Sequence, residues 1–146
     1  MKDKEKVFAW VLVIVWMVVI FYFSHQPARV SAVLSYSICN FIKESFNVDD
    51  SLTASLHYLV RKGAHVAEYF VLAFLLANAF EKYPLRDKKV ILYSFSASFL
   101  FAISDEIHQL YVPGREGRAT DVIIDTIGII AACVTWKMRL AARRAG

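Results

Sequence analysis

Two cysteines, three prolines and five glycines in 146 residues are too few for a disulfide framework or a turn-rich β fold. Cys39 and Cys133 lie in segments of different character, the second well inside an apolar stretch, so no bridge between them is expected. Basic residues form no stripe outside the connecting segments, and the formal net charge of +4 is modest. A nucleic-acid partner is therefore not expected. Internal repeats and low-complexity tracts are also missing. Apolar side chains are abundant instead. They make up 58% of the chain, aromatic residues make up 14%, and the mean hydropathy is +0.45.

Residues 7–23, VFAWVLVIVWMVVIFYF, run for seventeen positions without a charge. A run of that length is near the minimum for crossing a bilayer as a helix. Lys2, Lys4 and Lys6 precede it, as in a secretory signal, but FYFSHQPARV contains no small-x-small cleavage site. An uncleaved span is the expectation. Further apolar segments follow, and the spans are placed at about 7–24, 60–80, 89–110 and 121–137. The expected fold is all-α, a polytopic membrane bundle of four transmembrane helices forming one domain over residues 1–146.

Lysine and arginine distribute unevenly about these spans. Lys2, Lys4, Lys6, Lys82, Arg86, Lys88, Lys89, Lys137, Arg139, Arg143 and Arg144 fall on one side. Arg29, Lys43, Arg61, Lys62, Arg115 and Arg118 fall on the other. The positive-inside rule then puts both termini in the cytoplasm and the first and third loops outside. In the first loop, Val30, Val33, Leu34, Ile38, Phe41 and Ile42 recur at helical spacing among serines. They predict an amphipathic extracytoplasmic helix that either lies in the membrane interface or packs over the bundle as a lid. Asp50 or Ser51 would cap the helix that follows.

The spans carry ionisable groups at their extracytoplasmic ends. Arg61, His65 and Glu68 share one helical face; Asp105 stacks with His108 and Gln109; Asp121 and Asp125 are one turn apart. His65, Asp105 and Asp121 each lie 16 residues from the nearest charge at the other end of their helix, Glu81, Lys89 and Lys137. At 1.5 Å per residue this sets all three roughly 24 Å up a core about 30 Å thick. An ionised carboxylate facing lipid near mid-membrane costs ~2.5–3.5 kcal/mol on insertion scales, so these groups should face one another.

An intramembrane ionisable cluster is by default a functional-site hypothesis, against the alternative of a salt-bridge network that pins the helices. His65, Glu68, Asp105 and Asp121 are the candidates for general acid–base chemistry or for metal ligation. YVPGR reads as a turn that holds Arg115 at the mouth of the cluster, and a guanidinium there suits a phosphate or carboxylate. Arg61 would be the second jaw. The alternative for Arg115 is a salt bridge to Glu106 or Asp121. Asp105 and Glu106 point in different directions, so only one of them is expected in the site. Acids outnumber bases, and a divalent cation, a shared proton or solvent would relieve the excess. His25, His57, Ser94, Ser96 and Ser98 are expected to be bystanders, serine in a span usually bonding its own helix backbone. Glu116 and Arg118 are expected at the solvated rim.

In order, FYFSHQP, RKGAHVAEY, SDEIHQLYVPGREG and DVIIDTIG resemble the VanZ-like family of bacterial membrane proteins over nearly the whole chain. The resemblance implies a small integral membrane protein of the bacterial cytoplasmic membrane, in a family named for a member associated with low-level teicoplanin resistance. It implies no particular reaction. The matching residues are Ser24, Gln26, Arg61, Lys62, His65, Glu68, Asp105, Glu106, Gln109, Arg115, Asp121 and Gly128. His25 stands where the family often has serine, and Asp125 where it commonly has asparagine. The expected substrate-binding set is Arg61, Lys62, Gln109 and Arg115, with Ser24, Gln26, Glu106 and Asp125 in support.

Three functions fit this pattern. The first is an enzyme acting at the outer leaflet on a lipid-linked or envelope substrate bearing phosphate or carboxylate, with or without a divalent cation, and affecting glycopeptide susceptibility. The second is a module that binds an anionic envelope lipid or another membrane protein. The third is a small transporter or flippase subunit, for which four short spans look too few in one chain. Membrane lipid is the expected partner, and oligomeric state is left open.

Overall fold

The structure is a computed structural model that describes residues 2–46 and 49–145. It is 88% helix, with no strand among the described residues. The elements are α1 (Lys2–His25), α2 (Ala28–Phe46), a 3-10 turn (Asp50–Leu52), α3 (Thr53–Glu81), α4 (Asp87–Gln109) and α5 (Ala119–Ala145). Helices α1, α3, α4 and α5 are each long and apolar enough to cross a membrane, and they cover the four expected segments except for Leu110, which is the C-cap of α4. Three reach well beyond the hydrophobic segments, α1 starting at Lys2, α3 starting at Thr53 and α5 continuing to Ala145, because polar flanks extend a helix as readily as apolar ones.

Outward-facing positions are strongly apolar. Helix α1 buries Ala9, Val13 and Ile20 while Phe8, Val11, Ile14, Val15 and Val18 stay exposed, the surface of a helix that meets lipid on most sides. Helix α3 is the hub, touching α1, α2, α4 and α5. Its buried Tyr69, Leu72, Ala73, Leu76, Ala77 and Ala79 form the core with Ala102 of α4 and with Ile129 and Ala132 of α5. Trp136 and Val90 continue that core toward the termini. Small residues allow this close approach. The extreme case is Gly128, where an added Cβ would stand 2.1 Å from the Val66 carbonyl oxygen of α3.

At the end that holds both termini, Arg143 pairs with Glu81 at 2.8 Å, Lys82 with Glu5 at 3.7 Å, and Arg144 with Asp87. Trp10 Nε1 donates to the Tyr83 hydroxyl at 3.0 Å in the same layer. Ser94 and Ser98 donate to the carbonyls of Val90 and Ser94, satisfied within their own helix as expected. His57 rests edge-on against Tyr36, a contact between α2 and α3.

The cap of α3 differs from expectation. Leu52 occupies the N-cap with no side-chain bond. Asp49 instead accepts the Ser51 backbone N–H at 2.7 Å and forms an Asx-type turn ahead of the 3-10 segment. That bond holds the Asp49 carboxyl below its ordinary range. The side chains of Asp50 and of Leu34 on α2 are outside what the structure describes.

Candidate functional site

Helix α2 follows directly from α1 through Gln26 and Pro27, and the Ala28 N–H donates to the Pro113 carbonyl at 3.4 Å. Its apolar residues Val30, Val33, Ile38 and Phe41 are exposed, while Ser31 and Ser35 turn toward the bundle. A cleft opens beneath this serine face. One lobe, about 210 Å³, is lined by Ser31, Arg61, His65, Gln109, Arg115 and Asp121, with Glu116 and Arg118 at its edge. The second, about 130 Å³, is lined by Ser24, Ser31, Ser35, Arg61, His65, Glu68 and Arg115. Arg61, His65, Arg115 and Ser31 border both lobes.

Arg115 is placed by the turn that the sequence announces. The Arg115 N–H donates to the Val112 carbonyl at 3.1 Å, with Pro113 and Gly114 between them and Gly114 at φ +76. That is the backbone demanded of the third residue of a type II turn, where glycine fits without strain. Neither salt bridge envisaged for Arg115 forms. Its Nε donates to the Gln26 carbonyl at 2.9 Å and a terminal nitrogen donates to the Phe23 carbonyl at 2.8 Å. Phe23 lies in the last turn of α1 and Gln26 directly after it, where carbonyls lack the regular helical donor; the Phe23 carbonyl also accepts the Gln26 N–H at 3.3 Å. Burial lowers the Arg115 pKa, against the opposing pull of Asp105, Glu68 and Glu106, and the group stays cationic. Arg115 therefore caps α1 and lines the cleft at once.

Arg61 stands opposite, exposed, and makes no ion pair among the described residues. Its neighbour Lys62 is rotated into the bundle. Lys62 is 9% exposed and pairs with Asp121 at 2.6 Å, joining α3 to α5 rather than facing the cleft. His65 Nδ1 lies 3.6 Å from Glu68 Oε2 and 3.9 Å from Asp125 Oδ1, and makes no hydrogen bond among the described residues. Asp125 is 1% exposed, and neither oxygen has a donor among the described residues. Unpaired buried polar atoms of this kind are uncommon and point to a ligand or water as partner.

Asp105 and Glu106 are both buried, and both have a place. Gln109 Nε2 donates to Asp105 Oδ2 at 3.1 Å and to Ser24 Oγ at 3.0 Å, so Asp105 is turned toward α1. Glu106 Oε2 accepts the Arg118 N–H at 2.9 Å at the start of α5, where a carboxylate also meets the positive end of the helix dipole. Gly117 makes this possible, since a Cβ there would stand 2.2 Å from the Glu106 carbonyl oxygen. Neither carboxylate lines either lobe of the cleft. Glu116 and Arg118 pair with each other at the exposed rim.

Sequence reasoning passed over three features. Tyr69 is fully buried, and its hydroxyl has no hydrogen-bond partner among the described residues. Its adjacency to Glu68 in AEYF was the available signal. Ser31 and Ser35, one turn apart on the polar face of α2, line the cleft. His25, set aside as a bystander, contacts His108.

The donor chemistry of His65, Glu68, Asp105 and Asp121 suits a divalent cation, but their arrangement does not. Among the described residues no group of three or more His, Cys, Asp or Glu side chains converges as a ligand set. Asp105 is engaged by Gln109, and Asp121 by Lys62.

The fold and cleft define a helical, membrane-capable bundle with an ionisable cleft at the end away from its termini. The chain matches the VanZ/LLP1 family model over residues 8–140, nearly its full length, and belongs to that family, whose members are membrane-associated. No curated protein and no solved structure matches it.

Proposed function

We propose that the cleft binds the phosphate or carboxylate group of an envelope lipid or lipid-linked precursor at the outer face of the bacterial cytoplasmic membrane, with both termini in the cytoplasm. Through that ligand the protein would alter susceptibility to glycopeptides such as teicoplanin. The observation that carries this reading is the pairing of Arg61 and Arg115 across both lobes of one cleft. Arg61 has no ion pair of its own among the described residues, and guanidinium groups in a partly water-excluded site are well shaped for oxyanions. Ser31 and Gln109 add neutral hydrogen-bonding groups to the same wall.

A second reading adds chemistry to the binding. His65 and Glu68 share a lobe with both arginines, in reach of any ligand that the arginines hold, and form a general acid–base pair for hydrolysis or transfer on the bound substrate. Binding of nanodiscs or vesicles containing phosphatidylglycerol, compared with phosphatidylcholine alone, tests the first reading. Arg61→Gln should weaken the anionic-lipid preference at least tenfold and reduce teicoplanin tolerance. Equal binding of the two lipids by the native protein would overturn it. His65→Ala and Glu68→Gln then separate the readings. Catalysis requires loss of the phenotype with lipid binding and protein level intact, and binding alone requires that the phenotype persist.

A further inference from the structure

We propose that His25 and His108 form a two-imidazole site for a divalent transition-metal ion of the Cu²⁺ or Zn²⁺ type, separate from the His65 cleft. His25 ends α1 and His108 lies in the last turn of α4, and their Nδ1 and Nε2 atoms stand 3.1 Å apart. Imidazole nitrogens bind such ions at ~2.0–2.1 Å, so two cis ligands on one ion lie roughly 2.9–3.4 Å from each other. The observed separation falls inside that range. Turning both rings by about 40° swings their lone pairs off the nitrogen–nitrogen line and onto one shared ion.

The pair is held from behind. Phe21 packs against both rings, with centroids 5.9 Å from His25 and 4.5 Å from His108. The two imidazoles stack on each other with planes 25° apart. One residue away, Ser24 and Gln109 bond across the same two helices at 3.0 Å, so a buried neutral rung fixes the spacing of the exposed histidine rung beside it. Two helix C-termini meet at this point; Arg115 already engages the Phe23 and Gln26 carbonyls at the end of α1, which leaves the end of α4, beside His108, as the local negative pole. His25 is exposed, so an ion arrives from solvent and water fills its remaining positions. Imidazole ligands select Cu²⁺, Ni²⁺ and Zn²⁺ over the harder Mg²⁺ and Ca²⁺.

The test uses the full chain, free of any histidine tag, in detergent micelles after treatment with a chelator. Titration with Cu²⁺ should give one tight equivalent per chain, and electron paramagnetic resonance should show coupling to two nitrogens. His25→Ser and His108→Gln should each weaken binding at least tenfold while circular dichroism and the melting temperature hold. The resonance spectrum of the native protein needs no variant, so a folding defect in either substitution leaves the question decidable. Coupling to a single nitrogen, or equal affinity in native protein and a folded variant, would overturn the proposal.

Discussion

Arg115 donates from Nε to the Gln26 carbonyl at 2.9 Å, so one guanidinium joins the loop after α4 to the chain leaving α1. The same side chain lines both lobes of the cleft, which couples anion binding to the position of α1. Arg115→Lys keeps the charge but cannot reach two carbonyls with a rigid fork. It should lower stability by about 1–3 kcal/mol, the scale of a hydrogen bond to a charged group in a partly buried place. It should also weaken anionic-lipid binding. Arg61→Gln, by contrast, should weaken binding with the melting temperature unchanged. Thermal unfolding in detergent beside lipid binding checks both, and an Arg115→Lys protein as stable as the native one would refute the capping role.

Much of this arrangement could be read in the sequence, and what could not has a physical reason. The uncharged run from Val7 to Phe23 specifies a helix because it satisfies its own backbone in lipid, and Pro113-Gly114 specifies a turn. Helical period also placed Arg61, His65 and Glu68 on one face, and all three border one lobe. Period does not say how one helix is rotated against another. Lys62 follows Arg61 in sequence, yet 100° of helical turn carries it from the cleft wall into a buried pair with Asp121. That partner choice depends on the register of α3 against α5, which is set by the contact of Gly128 with Val66. His25 illustrates the same limit, since its meaning appears only when α4 brings His108 to it.

Lys62 and Asp121, 2.6 Å apart with most of each side chain inaccessible, should behave as a buried ion pair. Removing one partner leaves the other charge uncompensated, at a cost of about 3–5 kcal/mol, whereas replacing both with apolar residues of similar size can be close to neutral. Lys62→Met and Asp121→Leu should each lower the melting temperature substantially, and the double variant should recover most of the loss. A double-mutant cycle from unfolding in detergent measures the coupling. Additive single effects would show that the pair contributes nothing to the bundle.

Glu106 separates a charge effect from a hydrogen-bond effect. Its carboxylate accepts the Arg118 N–H at the head of α5. Glu106→Gln retains an acceptor and loses only the attraction to the helix dipole, about 0.3–1 kcal/mol. Glu106→Ala leaves a part-buried N–H without a partner and should cost about 1–3 kcal/mol. Because Glu106 lines neither lobe, both variants should bind anionic lipid as the native protein does once folded. A large binding defect in a stable Glu106→Gln protein would bring this carboxylate into the site itself.

Gly128 gives the sharpest link between packing and the cleft. A methyl group there would meet the Val66 carbonyl oxygen at 2.1 Å and the Phe70 nitrogen at 3.1 Å, all backbone atoms that no rotamer change can move aside. Helices α3 and α5 must separate to admit it, and overpacking of this kind costs about 1–3 kcal/mol. The separation acts directly beside the site, since Val66 follows His65 and Asp125 lies one turn before Gly128. Gly128→Ala should therefore lower the melting temperature and lengthen the distances from Asp125 to His65 and from Asp121 to Lys62. Anionic-lipid binding should weaken even under conditions where circular dichroism shows the helices intact. A Gly128→Ala protein with native stability and native binding would mean that α3 and α5 do not approach each other this closely.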